Sequence, residues 1–297
     1  MPPKTSNSVT KIPATDSQGN LRSSVCVEGI MPPIAPRTTH KLGFIGTPLP
    51  KANTPISPEE TLIFFDWDDT CIASTWLQAN GFTMYDARGP LIEKYAVMGE
   101  TLYAVLEPLL LYATQLGRVI IVTNANVGWV ELSCAAFMPK LLSFISNITV
   151  ISAQDRYKPI VGQSPLEWKR RAFQDVVMNS GDPYDQLRNF ISIGDGIPEK
   201  YAIHALRGNP GDPFYMPAII VKAVKLLDQP TPSLLVEQLI AVHDMLKSVI
   251  HHPSSADFTA ELTLLPQLPR LPESGSETEE ELAITVVPRC AEVKYPL

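Results

Sequence analysis

Three short stretches of this chain place oxygen-bearing side chains directly after apolar runs. Leu62-Ile63-Phe64-Phe65 leads into Asp66-Trp67-Asp68-Asp69-Thr70, and Arg118-Val119-Ile120-Ile121-Val122 into Thr123-Asn124. Phe190-Ile191-Ser192-Ile193 leads into Gly194-Asp195-Gly196, with Glu199 on the next turn. Short continuous apolar runs read as strands buried on both faces. In an open parallel sheet, ligands bind beyond the carboxyl ends of the strands, so these polar groups gather at one rim. Carboxylates crowded there repel one another and are costly to bury unpaired. A divalent cation relieves that cost, and oxygen ligands with room for water and phosphate favour Mg²⁺. This chemistry suits phosphoryl transfer, in which charge around phosphorus must be neutralised. One aspartate can attack to give an aspartyl-phosphate, while a carboxyl two residues on acts as general acid and then as base for water.

A calcium reading of Asp66-Trp67-Asp68-Asp69-Thr70 fails. An EF-hand loop needs glycine at its sixth position and glutamate at its twelfth. Cys71 and Leu77 stand there, and the motif follows a strand.

The elements that must position these residues follow from periodicity. Further apolar runs occur at Ile148-Thr149-Val150-Ile151 and Ala218-Ile219-Ile220-Val221. Helical spacing fills 91–116, 129–145, 166–178, 199–206 and 233–250. Buried strands alternating with helices make βαβ units, which predicts an α/β fold, a three-layer sandwich around a parallel Rossmann-like sheet.

The ordered set of motifs resembles the haloacid dehalogenase (HAD) superfamily, whose members are mostly phosphatases and phosphotransferases. Its first motif, an apolar strand followed by D-x-D-x-T/V, is matched by Phe64 to Thr70. The resemblance implies Asp66 as nucleophile and metal ligand, and Asp68 as acid/base, binding the metal through its backbone carbonyl. Thr123, with a backbone N–H, would hold the phosphoryl group, which puts Thr123-Asn124 in the phosphate-binding set. The G-D-x-x-x-D/E motif, matched by Gly194 to Glu199, implies Asp195 as a metal ligand and Glu199 as support for the metal's waters. The family also requires a lysine near the start of the helix preceding that strand. Lys169 has this place and is preferred for phosphate binding and catalysis; Lys158, in Lys158-Pro159, is the alternative. The resemblance covers roughly residues 60–225. The intervals from Thr70 to Thr123 and from Thr123 to Lys169 leave no room for a large cap domain, so a minimal cap and an open site are expected. Asp69 is expected to support its loop, and Trp67, Trp76 and Tyr85 to pack it. A thiol role for Cys71 is not expected.

Residues 1–58 read as a Pro/Ser-rich flexible arm, 59–252 as the catalytic domain and 253–297 as a Pro-rich and acidic tail. Thr54-Pro55 and Ser57-Pro58 read as linker punctuation, and the Pro-x-x-Pro spacing in 264–272 as a motif that protein partners could bind. Among 297 residues, 24 basic against 31 acidic side chains argue against a nucleic-acid binder. The start of the chain has no signal-peptide core, and no apolar stretch is long enough for a membrane helix. Four scattered cysteines point to a reduced compartment, cytoplasmic or alternatively nuclear. The five histidines show no zinc-ligand spacing, and His251-His252 reads as a surface loop. The sequence therefore predicts a Mg²⁺-dependent hydrolase of phosphorylated small molecules or phosphoproteins. The alternatives are a catalytically weak HAD-fold scaffold and a phosphotransferase to an acceptor other than water.

Overall fold

The computed structural model describes residues 40–46, 56–83, 92–179, 187–211, 215–216 and 218–264. The apolar run at 62–65 becomes β2 (Thr61–Phe65), buried at every position. Its side chains alternate between two cores, Ile63 and Phe65 in one and Leu62 and Phe64 in the other. Such a strand must be paired on both edges and covered on both faces. It pairs in parallel with β3 (Arg118–Thr123) and β5 (Asn189–Gly194). β4 (Thr149–Ser152) extends the β3 side, and β6 (Ile220–Lys225) then β7 (Ala256–Leu264) extend the β5 side, all in parallel. β1 (His40–Gly46) runs antiparallel to β7, His40 opposite Leu264 and Gly46 opposite Phe258. The fold is α/β, with a mixed, mostly parallel seven-stranded sheet in the order β1-β7-β6-β5-β2-β3-β4.

Eight α-helices occur among the described residues: α1 (Ser74–Ala79), α2 (Ile92–Leu116), α3 (Trp129–Phe137), α4 (Leu142–Ile145), α5 (Ala153–Val161), α6 (Pro165–Met178), α7 (Ile197–Ala205) and α8 (Pro232–Ile250). Leu106 and Leu110 of α2, Cys134 of α3 and Leu239 of α8 bury against Ile63 and Phe65. Tyr157 of α5, Phe173 of α6 and Ile203 of α7 bury with Leu62 and Phe64, and Phe173 stacks on Phe64 at 3.9 Å. Burying one such ring contributes about 1.5–3 kcal/mol. Caps and prolines set the helix starts: Ser164 accepts from the Glu167 N–H and Thr231 from the Leu234 N–H, each before a proline at the first turn. Against the expectation that no apolar stretch is long enough, Tyr95–Leu116 of α2 is long and apolar enough to cross a membrane; Leu102, Leu106, Leu109 and Leu110 within it are fully buried in the protein's own core.

Several elements depart from the sequence expectation. The all-parallel sheet gains an antiparallel edge, because β1 and β7 lie in stretches read as arm and tail, outside 59–252. Gly43 to Gly46 fall within β1, and β7 carries the period-2 burial of Ala256, Phe258 and Ala260. β6 begins at Ile220 and runs on through Lys222, which ended the apolar run in sequence. Lys222 is nevertheless fully buried, donating to Asn189 Oδ1 at 2.7 Å and to the Ile250 carbonyl at 2.6 Å. It thereby satisfies a carbonyl that the C-terminus of α8 leaves without a helical partner. His252 is also buried, its Nδ1 2.8 Å from the Ser254 carbonyl oxygen, so His251-His252 is not a surface loop. Ser57-Pro58 opens a 3-10 turn leading into β2. Thr54-Pro55, Tyr85, Cys26, Cys290, the Pro-x-x-Pro segment and the acidic run lie outside the described residues.

Candidate functional site

From β2 the chain moves to β3 and β4 on one side, and later to β5 and β6 on the other. Loops leaving the carboxyl ends of β2 and β5 therefore diverge, opening a crevice at the point where the strand order switches. Asp66 stands at the end of β2, its N–H bonded to the Ile193 carbonyl of β5 at 2.9 Å. Asp195 follows β5, and Thr123 ends β3.

Lys169 enters from α6. It shares the buried stripe of that helix with Ala172 and Phe173, at i, i+3 and i+4. Its ammonium donates to Asp66 Oδ1 at 2.6 Å and to the Val122 carbonyl at 2.6 Å, and pairs with Glu199 Oε1 at 2.7 Å. All three donors of the group are used. Lys158 lies on α5, half-buried; the ammonium that reaches Asp66 is that of Lys169.

One oxygen each from Asp66, Asp195 and Glu199 lie within 4.8 Å of one another. Thr70 ties Asp195 to the β2 loop, donating to its Oδ1 at 3.4 Å and accepting from its N–H at 3.1 Å. Glu199 folds over the Gly194-Asp195-Gly196 turn. A Cβ on Gly194 would meet its Cγ at 2.5 Å, and one on Gly196 would meet its Oε2 at 2.5 Å. That Oε2 is buried without a hydrogen-bond partner.

Three carboxylates thus crowd round one ammonium, and Asp68 adds its negative charge at Asp66. Burial holds the Asp66 carboxyl well above the usual carboxylate range; Lys169 opposes this, and Glu199, Asp195 and Asp68 reinforce it. Burial, then Glu199, pushes Asp195 up to about 7. Burial works against charge on Lys169, but Asp66 and Glu199 outweigh it and raise its proton affinity. The excess negative charge, the convergent hard oxygens and the orphaned Glu199 Oε2 fit a divalent cation with oxygen preference, such as Mg²⁺.

Asp68 is only half-buried and faces the β3 side. Thr123 Oγ1 donates to its Oδ2 at 3.0 Å, and Trp129 Nε1 donates to its Oδ1 at 2.8 Å. Thr123 Oγ1 also accepts from the Ala125 N–H at 2.9 Å. Asn124 turns its side chain away toward α6, with Nδ2 3.5 Å from the Pro165 carbonyl and Oδ1 buried without a partner.

The remaining loop residues are structural. Asp69 adopts φ +53°, a left-handed conformation that aspartate tolerates better than most residues, and its Oδ1 accepts from the Thr75 N–H at 2.9 Å at the start of α1. Cys71 is buried and donates to the Asp66 carbonyl; burial and then Asp66 raise its proton affinity, keeping it a thiol. Trp67 is fully buried with Nε1 on Ser133 Oγ at 2.8 Å, and Trp76 packs edge-on to Tyr95. Sequence reasoning overlooked Trp129 and Ser133; their i, i+4 spacing at the start of a helix directly after the Thr123 turn was the available signal.

Comparison of the chain with protein-family models, with curated proteins and with solved structures found no match.

Proposed function

We propose that the protein is a Mg²⁺-dependent phosphomonoester hydrolase of the HAD type, a three-layer Rossmann-like α/β enzyme with a minimal cap, working through an aspartyl-phosphate on Asp66. The observation that carries this reading is the Lys169–Asp66 contact at the end of the central strand, with Asp68 bonded to Thr123 beside it.

Asp66, Asp195 and the backbone carbonyl of Asp68 would hold the cation, with Glu199 supporting its waters. Bound there, it would neutralise charge on the phosphoryl oxygens. Lys169 keeps Asp66 oriented and its charge compensated in a buried site. An Asp66 oxygen attacks phosphorus as the ester P–O bond breaks, and Asp68 gives its proton to the leaving oxygen. Thr123 and a backbone N–H beside it would offer donors to the phosphoryl oxygens. Asp68, now a carboxylate, takes a proton from water, whose oxygen attacks the aspartyl-phosphate. The P–O bond to Asp66 breaks, releasing phosphate and restoring the free carboxylate. An open rim suits bulky phosphorylated substrates, and Val127 on the loop after β3 and Ile197 at the first position of α7 expose apolar side chains.

The test is hydrolysis of 4-nitrophenyl phosphate with and without Mg²⁺, beside Asp66→Asn. Mg²⁺-dependent turnover is expected, with a loss on the order of 10³-fold or more in the variant. Equal rates in the two proteins would sink the nucleophile assignment.

A further inference from the structure

Asp68 takes its contacts from neutral donors, the Thr123 hydroxyl and an indole that belongs to none of the motifs. Gly128, at φ +84°, turns the chain after β3 into α3 and places Trp129 at the first position of that helix. From there Trp129, 7% exposed, sends Nε1 to Asp68 Oδ1 at 2.8 Å. The rest of Trp129 is braced from below. Trp67, the neighbour of Asp68 in sequence, donates to Ser133 Oγ at 2.8 Å, and Ser133 Oγ donates to the Trp129 carbonyl at 2.8 Å. The links close a ring: the 67–68 backbone, the Trp67 indole, Ser133, the Trp129 backbone, the Trp129 indole and the Asp68 carboxylate. Trp67 and Ser133 are fully buried, so the ring is rigid where it meets the core.

We infer that Trp129 is a positioning residue for the general acid, fixing the Asp68 carboxylate through Oδ1 so that Oδ2 faces the leaving oxygen; this rests on the hydrolase reading above. The geometry separates the two oxygens. Oδ1 is held by a donor fixed in the α3 framework. Oδ2 is held by the Thr123 hydroxyl, a single rotatable donor that a bound phosphoryl group would draw away. Once Thr123 turns to phosphate, Oδ2 is the oxygen left to carry and deliver a proton, while the indole prevents the carboxylate from rotating. An aimed general acid matters in proportion to how much the leaving group needs a proton.

Trp129 also lines a cleft of about 270 Å³ with Ser74, Leu77, Gln78, Phe82 and Thr83. A ring acting only as a wall of that cleft would affect binding of the leaving group by its size. The two roles give different kinetics. Trp129→Phe keeps the ring face and removes the N–H donor. The experiment is kcat and KM of wild type and Trp129→Phe with Mg²⁺ on 2,4-dinitrophenyl, 4-nitrophenyl, phenyl and alkyl phosphates. Beryllium fluoride binding and thermal melting serve as controls for an intact Asp66 site and fold. The expected result is a kcat/KM loss of about 10- to 100-fold on phenyl and alkyl phosphates, shrinking to under about 3-fold on 2,4-dinitrophenyl phosphate, because kcat/KM reports the steps up to leaving-group departure and excludes the water step common to all substrates. Trp129→His, which retains a ring N–H, should recover part of the alkyl phosphate rate. A kcat/KM loss equal across the series, or one that follows leaving-group size and not leaving-group basicity, overturns the positioning role while leaving the hydrolase reading intact. Absence of turnover and of beryllium fluoride binding in the wild type removes the hydrolase reading, and this inference with it.

Discussion

Lys169 Nζ lies 2.6 Å from Asp66 Oδ1, two buried side chains 103 positions apart in sequence. The same ammonium bonds Glu199 Oε1 and the Val122 carbonyl, so one group ties the ends of β2 and β3 to the first turn of α7.

Removing that cation should therefore damage both stability and chemistry. Lys169→Met leaves Asp66 and Glu199 buried and uncompensated, a change that costs about 3–5 kcal/mol in comparable sites. Urea unfolding should show a loss of this size, partly recovered by millimolar Mg²⁺, and the proposed phosphatase activity should fall by orders of magnitude. Unchanged stability would mean that the carboxylates are neutral in the folded protein and that the ion pair is not what holds them.

Lys222 makes a prediction about pH at the opposite end of the sheet. Burial pushes its pKa down to about 7. An uncharged amine still has two N–H groups for Asn189 Oδ1 and the Ile250 carbonyl. The unfolded chain keeps the proton up to about pH 10.4. Between those values the unfolded state binds more protons than the folded one, so stability rises with pH. The cost of the buried lysine is greatest below about pH 7 and vanishes above about pH 10. Unfolding free energies of the wild type minus those of Lys222→Met should climb by about 1.4 kcal/mol per pH unit across that window. A flat difference contradicts a neutral buried amine.

Gly194 is required for space. An alanine there would set its Cβ 2.5 Å from Glu199 Cγ. Gly194→Ala should displace Glu199 from Lys169, costing about 1–3 kcal/mol by overpacking. Chemical denaturation measures the cost, and adding Gly194→Ala to Glu199→Ala should cost far less than adding it to the wild type. A penalty as large in the Glu199→Ala background would place the strain in the backbone.

Much of this arrangement was legible in the chain because it depends on local composition. Apolar runs at 62–65, 118–122 and 190–193 could only be buried strands, and each ended in residues too polar to continue one. Helix starts were written in Ser164-Pro165 and Thr231-Pro232. The placement of Asp66, Thr123 and Asp195 at one rim follows from those features and from the direction of parallel strands. What the sequence could not settle were contacts whose partners are far apart along it. β1 carries two glycines and gains its meaning only from β7, which arrives at the far end of the described chain. Lys158 and Lys169 were both plausible as site lysines, although Lys169 shares the stripe of Ala172 and Phe173. Tertiary packing brings Lys169 to Asp66, because α6 lies over the sheet with that stripe inward. Trp129 and Asp68, 61 residues apart, meet only because β3 lies beside β2 and the left-handed Gly128 turns the next helix back over the loop. Periodicity reports which face of an element is buried; which side chain of another element waits there is decided by the packing of the whole sheet.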